Sequence, residues 1–123
     1  MPHKILIVDD EETIREPLKE MLVQQGYEVL IAEDGKKGLD EARKKRPDLV
    51  LLDVNMPKMD GFTVLQELKK DKKSSDIPVF MLTSRSTAED IAAGISGFAE
   101  KYISKPFDFN HLLSEIQKTL KLH

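Results

Sequence analysis

The sequence contains no cysteine and no tryptophan among its 123 residues. The absence of cysteine excludes disulfide bonds, thiolate metal sites and thiol catalysis. No apolar run approaches the roughly 20 residues of a membrane-spanning helix. The acidic residues of MPHKILIVDD fall where the apolar segment of a signal peptide would have to continue. We therefore expect a cytoplasmic protein without a membrane anchor.

An excess of positive charge is also missing. The net charge is -3, and the three histidines, His3, His111 and His123, are dispersed. Because nucleic-acid binding needs a basic surface or a strong basic patch, we expect no direct contact with nucleic acid. The scattered histidines also disfavour a histidine metal site or a histidine phosphodonor in this chain. With 40% hydrophobic and 33% charged residues, the composition predicts one globular domain over residues 1–123.

Apolar segments of two kinds alternate along the chain. Five short segments predict strands, at residues 5–8, 27–32, 49–52, 79–82 and 102–103. Five segments with apolar residues at helical spacing predict helices, near residues 14–22, 35–45, 64–68, 87–96 and 112–120. This alternation predicts parallel strands joined by right-handed crossovers in a three-layer α/β sandwich.

Charged and hydroxyl side chains, which can take part in binding or catalysis, follow the predicted strands. They are Asp9 and Asp10 after the first strand, Asp53 after the third, Thr83 and Ser84 after the fourth, and Lys105 with Pro106 after the fifth. Ligand sites of parallel sheets lie off these strand ends, so we expect the side chains to meet there. Like charges about 4 Å apart repel by roughly 4 kcal/mol at an effective dielectric constant of about 20. Three adjacent carboxylates therefore need a raised pKa or a bound cation.

The donor atoms in this set are all hard oxygens, which favours Mg²⁺ or a similar ion. Lys105 would add a fixed positive charge and Thr83 a hydrogen-bond donor, an arrangement suited to a phosphoryl group. Asp53 would then be the nucleophile that forms an acyl phosphate. Each of these residues also has a purely structural interpretation. The acids at 9–12 suit a helix N-terminus. Lys105 would also suit a solvated loop, Thr83 a strand and Tyr102 a packing position.

Four motifs occur in order along the chain: VDDEE at 8–12, LLDVNMPKMDG at 51–61, MLTS at 81–84 and YISKPF at 102–107. With them the chain resembles the receiver domains of two-component response regulators over essentially its whole length. The resemblance implies a flavodoxin-like (βα)₅ fold with strand order 2-1-3-4-5. It also implies a phosphorylation-dependent signalling switch that catalyses its own phosphoryl transfer and dephosphorylation, and is not a conventional turnover enzyme.

The same resemblance assigns roles to individual residues. Asp53 would accept the phosphoryl group from a phosphohistidine of a sensor histidine kinase or a histidine phosphotransfer protein. Mg²⁺, with Mn²⁺ as a second possible ion, would be held by Asp10, Asp53 and the backbone carbonyl of Asn55, with Asp9 acting through water. Asn55 taken alone is an ordinary turn former.

Further roles concern the response to phosphorylation. Lys105 would pair with the phosphoryl group, and Thr83 and Tyr102 would form the switch pair. The face made by the fourth helix, the fifth strand and the fifth helix would then change its preference for a downstream protein. Residues that would contact partners are Ile14, Pro57, Lys101 and Tyr102, with Arg15 and Leu18 as further candidates on the first helix, of which Leu18 suits the core better. We expect a monomer or a weak dimer.

Three positions depart from the common pattern of the family: Ser84 stands where alanine is usual, Phe98 replaces a small residue, and Pro17 lies inside the first helix pattern. The motifs disfavour three other classes of protein. A flavodoxin-type FMN binder is disfavoured because VDDEE would repel its phosphate, and a haloacid dehalogenase-type phosphatase because its nucleophile follows the first strand. A degenerate receiver that acts only as an interaction module is disfavoured by the intact acids. A free-standing receiver and a segment of a longer regulator both remain open.

Overall fold

A computed structural model describes residues 2–54, 56, 59–84 and 99–122. Its strands are β1 (Lys4–Val8), β2 (Glu28–Ala32), β3 (Leu49–Asp53), β4 (Val79–Ser84) and β5 (Lys101–Lys105). The described helices are α1 (Glu12–Gln24), α2 (Gly35–Lys45), α3 (Gly61–Lys70) and α4 (Phe109–Leu122). The strands form one parallel sheet in the order β2-β1-β3-β4-β5, which confirms the predicted fold class. The predicted helix near 87–96, and Asn55, Pro57 and Phe98, lie outside the described residues.

Two apolar cores lie on opposite faces of the sheet because successive side chains of a strand point to opposite faces. Ile5 and Ile7 of β1 pack with the buried faces of α1 and α4, including Leu22. Leu6 and Val8 pack on the other face, with the buried residues of α2 and α3. All of β3 is buried, which explains its continuous apolar run. The sheet is therefore the middle layer of the predicted three-layer sandwich.

Three strands extend further toward the site than predicted. Asp53 pairs in register with Leu82, and Ser84 pairs with Lys105, so the parallel ladder continues through polar residues. Backbone hydrogen bonds form whatever the side chain is, and the apolar run therefore underestimates the strand. The prediction that Asp53, Thr83, Ser84 and Lys105 follow their strands is wrong: these residues lie within the strands, and their backbones share the rigidity of the sheet.

The start of α3 lies directly against the end of β3. Asp60 caps this helix, since its Oδ1 accepts a hydrogen bond of 2.9 Å from the Thr63 amide. The Gly61 amide donates to the Val54 carbonyl at 2.9 Å. A Cβ atom on Gly61 would contact the Asp53 carbonyl oxygen and lie 2.7 Å from Val54 Cα. Glycine is therefore needed here for the close approach of the two backbones.

The structure continues α1 through Pro17, which lies on its exposed side. Among the described residues, none of the helices is both long enough and apolar enough to span a bilayer.

Candidate functional site

The carboxyl edge of the sheet joins a half-buried lysine, Lys105, to two buried acids. Asp53 and Asp9 are 1% and 0% exposed. The Lys105 ammonium donates to Asp53 Oδ1 at 3.1 Å and to Asp9 Oδ2 at 3.3 Å. Burial of unpaired charge is unfavourable, so the ammonium and the carboxylates stabilise one another in this position. The prediction that Asp9, Asp53 and Lys105 would meet is confirmed.

Two opposed effects determine the pKa of Lys105. Burial lowers the pKa because it disfavours the charged form, but the carboxylates of Asp9 and Asp53 act more strongly together and raise it above 10.5. Lys105 is therefore a fixed ammonium at neutral pH. It supplies a permanent positive charge beside the Asp53 carboxylate.

Four carboxylates gather at this edge. Asp9, Asp10, Glu11 and Asp53 each offer one oxygen, and these oxygens all lie within 4.8 Å of one another. A set of close carboxylate oxygens fits a hard divalent cation such as Mg²⁺. The chemistry of the donors thus agrees with the predicted metal, while the predicted carbonyl ligand at Asn55 lies outside the described residues.

Glu11 is the member of this cluster that the sequence interpretation missed. The sequence predicts for Glu11 only a role at the helix start, yet at the N-cap position of α1 its side chain makes no capping hydrogen bond. Its amide donates to Asp9 Oδ1 at 2.9 Å, and its carboxylate belongs to the acidic cluster. The signal was available in the sequence, because Glu11 directly follows two acids at the end of β1.

Thr83 and Tyr102 lie on neighbouring strands and on the same face of the sheet. Thr83 is fully buried on β4, and Tyr102 is half-buried on β5 opposite Met81. Because side chains alternate along a strand, Thr83 shares the face of Met81 and therefore of Tyr102. Burial raises the pKa of the Tyr102 phenol, which packs against the core formed with α2 and α3.

The predicted partner residues are distributed over two surfaces. Ile14 of α1 is half-buried and lines a depression of about 400 Å³ with Lys105, Pro106 and Phe107. Lys101 is exposed on β5, and its ammonium lies 2.7 Å from Glu115 Oε2 of α4.

The two further candidates on α1 also have definite positions. Leu18 is 3% exposed and belongs to the core, as expected. The side chain of Arg15 is 11% exposed, so most of it is covered.

Together the fold and the site define a parallel α/β protein with a cluster of carboxylates, suited to a divalent cation, at the carboxyl edge of its sheet. The chain belongs to the family of response regulator receiver domains, which it matches over residues 5–117. The family match confirms the resemblance inferred from the motifs. It also confirms that the chain belongs to the class of signalling regulators and not to the FMN-binding or phosphatase classes.

A curated relative agrees with this assignment. The "DNA-binding dual master transcriptional regulator RpaA" of Synechocystis is 41% identical over 118 residues, which cover 96% of this chain and 49% of that protein. The chain thus spans about half the length of the curated relatives it matches.

Solved structures of receiver proteins are similar over almost their whole length. The chemotaxis response regulator CheY4 of Vibrio cholerae is 34% identical, with a TM-score of 0.88 over 97% of this chain and 99% of that chain. The response regulator TrrA of Thermotoga maritima, solved in complex with Mg²⁺ and BeF, is 38% identical, with a TM-score of 0.84 over 97% of this chain and 99% of that chain. The magnesium complex of this neighbour and the acidic cluster described above both support Mg²⁺ as the ion.

Proposed function

We propose that this chain is a phosphorylation-dependent signalling switch in which Asp53 accepts a phosphoryl group from a phosphohistidine of a sensor histidine kinase or a histidine phosphotransfer protein. The observation that carries the proposal is the setting of Asp53. The residue is 1% exposed at the end of a central strand, and its carboxylate lies 3.1 Å from the Lys105 ammonium and clusters with three other carboxylates. Such a nucleophile is held in one position while its charge is balanced.

The transfer is a displacement at phosphorus. An oxygen of the Asp53 carboxylate attacks the phosphorus atom, and the bond from phosphorus to the imidazole nitrogen breaks. The electron pair of that bond stays with the imidazole, which takes up a proton from solvent. Lys105 stabilises the negative charge of the phosphoryl oxygens, and the Thr83 hydroxyl donates a hydrogen bond to one of them.

Asp9, Asp10 and Asp53, together with the backbone carbonyl of Asn55, are the proposed holders of the metal. When bound, Mg²⁺ supplies the positive charge that balances the carboxylates and the phosphoryl oxygens. Mn²⁺ would be accepted as well, because it also suits oxygen ligands in octahedral geometry. Glu11 extends this carboxylate set toward solvent.

Phosphorylation would act on partners through two surfaces. The depression beside Ile14 lies next to Lys105, so a phosphodonor protein that docks there reaches the site directly. Movement of Thr83 toward the phosphoryl group would free space for Tyr102 to turn inward. The face formed by β5, α4 and the helix predicted near 87–96, which includes Lys101, would then change its affinity for a downstream protein. Water attack on the acyl phosphate returns the switch to its resting form.

The test is labelling with a small acyl phosphate. Wild type, Asp53→Ala and Asp48→Ala are incubated with MgCl₂ and acetyl phosphate, and their intact masses are compared. Asp48 precedes the same strand at its opposite end, where its Oδ2 accepts from the Lys4 amide at 2.7 Å, so it is a matched control. We expect one phosphoryl group on wild type and Asp48→Ala, none on Asp53→Ala, and none on wild type without MgCl₂.

Two results would contradict the proposal. Equal labelling of Asp53→Ala and wild type would exclude Asp53 as the acceptor. No labelling of wild type, either by acetyl phosphate or by a phosphorylated histidine kinase, would favour the degenerate receiver that acts only by binding. Circular dichroism of Asp53→Ala establishes that the variant is folded, which we expect because removal of one acid relieves repulsion in the cluster.

A further inference from the structure

The backbone and side chain of Asp9 are held at four polar atoms. Its amide donates to the Ala32 carbonyl at 3.1 Å. Its Oδ1 accepts from the Glu11 amide at 2.9 Å, and its Oδ2 accepts from Lys105 at 3.3 Å. Its carbonyl oxygen accepts from Arg15 Nη1 at 3.0 Å. Of these contacts, the one from Arg15 comes from a side chain for which the proposed chemistry has no role.

The Arg15 side chain has a second hydrogen-bond partner and is mostly covered. Its Nε donates to Glu16 Oε2 at 3.2 Å, and the side chain is 11% exposed. The pKa of Glu33, in the loop after β2, is lowered mainly by Lys37 and to a smaller extent by the charge of Arg15. The Arg15 side chain therefore connects the first turn of α1 to the acidic loop after β1, and its charge also acts on the loop after β2. A planar guanidinium suits this place because it donates to two acceptors at once in a fixed geometry.

We propose that Arg15 is a positioning residue for the divalent cation: by holding the Asp9 carbonyl, it fixes the chain through which the Asp9 and Asp10 carboxylates are directed into the cluster. This inference rests on the proposed function, because it assumes that the cluster holds a cation. Asp10 is exposed and directly follows the peptide that Arg15 holds, so its direction depends on that peptide. Groups that orient metal ligands from behind typically change metal affinity by about 10- to 100-fold when they are removed.

The positioning role can be separated from a purely electrostatic one by the sign of the effect. A guanidinium beside a cation site repels the cation, so loss of its charge alone would strengthen binding. Loss of the hydrogen bond that holds the acidic loop would weaken binding. Lysine at this position keeps the charge but lacks the planar fork of donors, and glutamine removes the charge.

The experiment compares Arg15→Gln, Arg15→Lys and wild type by isothermal titration calorimetry with MgCl₂ and no phosphodonor. Arg43→Gln is the matched control, since Arg43 Nε lies 3.0 Å from Asp71 Oδ2 in an ion pair between α2 and the end of α3. We expect the dissociation constant for Mg²⁺ to rise about tenfold in Arg15→Gln, to rise less in Arg15→Lys, and to stay unchanged in Arg43→Gln. Unchanged or tighter binding by Arg15→Gln would overturn the proposal, as would an equal loss in Arg43→Gln.

A second measurement distinguishes weaker Mg²⁺ binding by Arg15→Gln from partial unfolding of this variant. The rate of labelling by acetyl phosphate is followed against MgCl₂ concentration. A positioning role predicts a higher half-saturating MgCl₂ concentration with the wild-type maximal rate. Partial unfolding would instead lower the maximal rate and leave the half-saturating concentration unchanged, and that result would refute the inference. If wild type binds MgCl₂ but is never labelled, the proposed phosphoacceptor function fails while the calorimetric comparison still decides the role of Arg15. If wild type does not bind MgCl₂, both proposals fail.

Discussion

Replacement of Gly61 by alanine should destabilise the protein, although alanine is the better helix former. Gly61 is the first residue of α3, and its amide donates to the Val54 carbonyl. The added methyl group would contact the Asp53 carbonyl oxygen and lie 2.7 Å from Val54 Cα. Both are backbone atoms, which cannot rotate away as a flexible side chain does. The start of α3 and the end of β3 would have to separate, and Asp53 would move with the strand.

Two opposed effects set the magnitude of this change. Alanine in place of glycine restricts the unfolded chain and stabilises the folded state by about 0.4–1 kcal/mol where the backbone tolerates it. An extra methyl group in a well-packed region costs about 1–3 kcal/mol. The upper part of that range applies because β3 is buried along its whole length. We expect a net loss of about 2 kcal/mol in the free energy of unfolding, and a Tm lower by roughly 6–10 °C.

Urea denaturation followed by far-UV circular dichroism measures the stability, and calorimetric titration with MgCl₂ measures the site. Gly26→Ala is the control: Gly26 has φ +94°, and a Cβ there would meet nothing within 4 Å. That variant should lose about 1 kcal/mol through backbone strain and bind Mg²⁺ normally. Gly61→Ala should lose stability and also bind Mg²⁺ more weakly. If Gly61→Ala were as stable as wild type, the steric argument would be refuted. If it lost stability but bound Mg²⁺ with unchanged affinity, the displacement of Asp53 would be refuted.

Three further variants probe single interactions. Lys105→Met leaves two buried carboxylates without their ammonium, so we expect a loss of about 3 kcal/mol in urea denaturation without divalent ions, partly recovered with MgCl₂; wild-type stability would contradict this. Lys101→Ala should raise the pKa of Glu115, now lowered by its hydrogen bond with Lys101, toward 4.5. The stabilisation by this pair is present above the unfolded pKa and is lost as the pH falls through the folded one, and carboxyl NMR titration measures the shift. Ser74→Ala removes a buried hydrogen bond of 2.7 Å to the Leu68 carbonyl and should cost about 1 kcal/mol in urea denaturation, with an unchanged midpoint as the contrary result.

The sequence predicts the central strands well because burial on both faces leaves a continuous apolar run. β5 is predicted at only two residues, although it covers Lys101–Lys105. It is an edge strand of the described sheet, and its polar residues Lys101 and Ser104 are exposed. Hydrophobic pattern reports burial, whereas a strand is defined by its backbone ladder, so the edge of the sheet is where the two differ most.

The candidate site divides in the same way. The meeting of Asp9, Asp53 and Lys105 follows from topology, since parallel strands bring their carboxyl ends to one edge. Side-chain direction does not follow from topology, and the capture of the Asp9 carbonyl by Arg15 could not be predicted. On spacing alone Arg15 is an exposed helix residue, and only the packing of α1 on the sheet turns it toward the acidic loop.

The position of Lys105 on an edge strand has a consequence for local opening. In the described sheet β5 pairs only with β4, whereas β3 lies between two strands and is buried throughout. Segments with fewer buried contacts open at lower free energy, so amide hydrogens of β5 should exchange with solvent deuterium before those of β3. In such openings the ammonium would withdraw while the carboxylate of Asp53 stays in place. A phosphoryl group in the site would pair with the Lys105 ammonium and so hold the end of β5 in place. Slower deuterium uptake along β5 would then report that the site is filled.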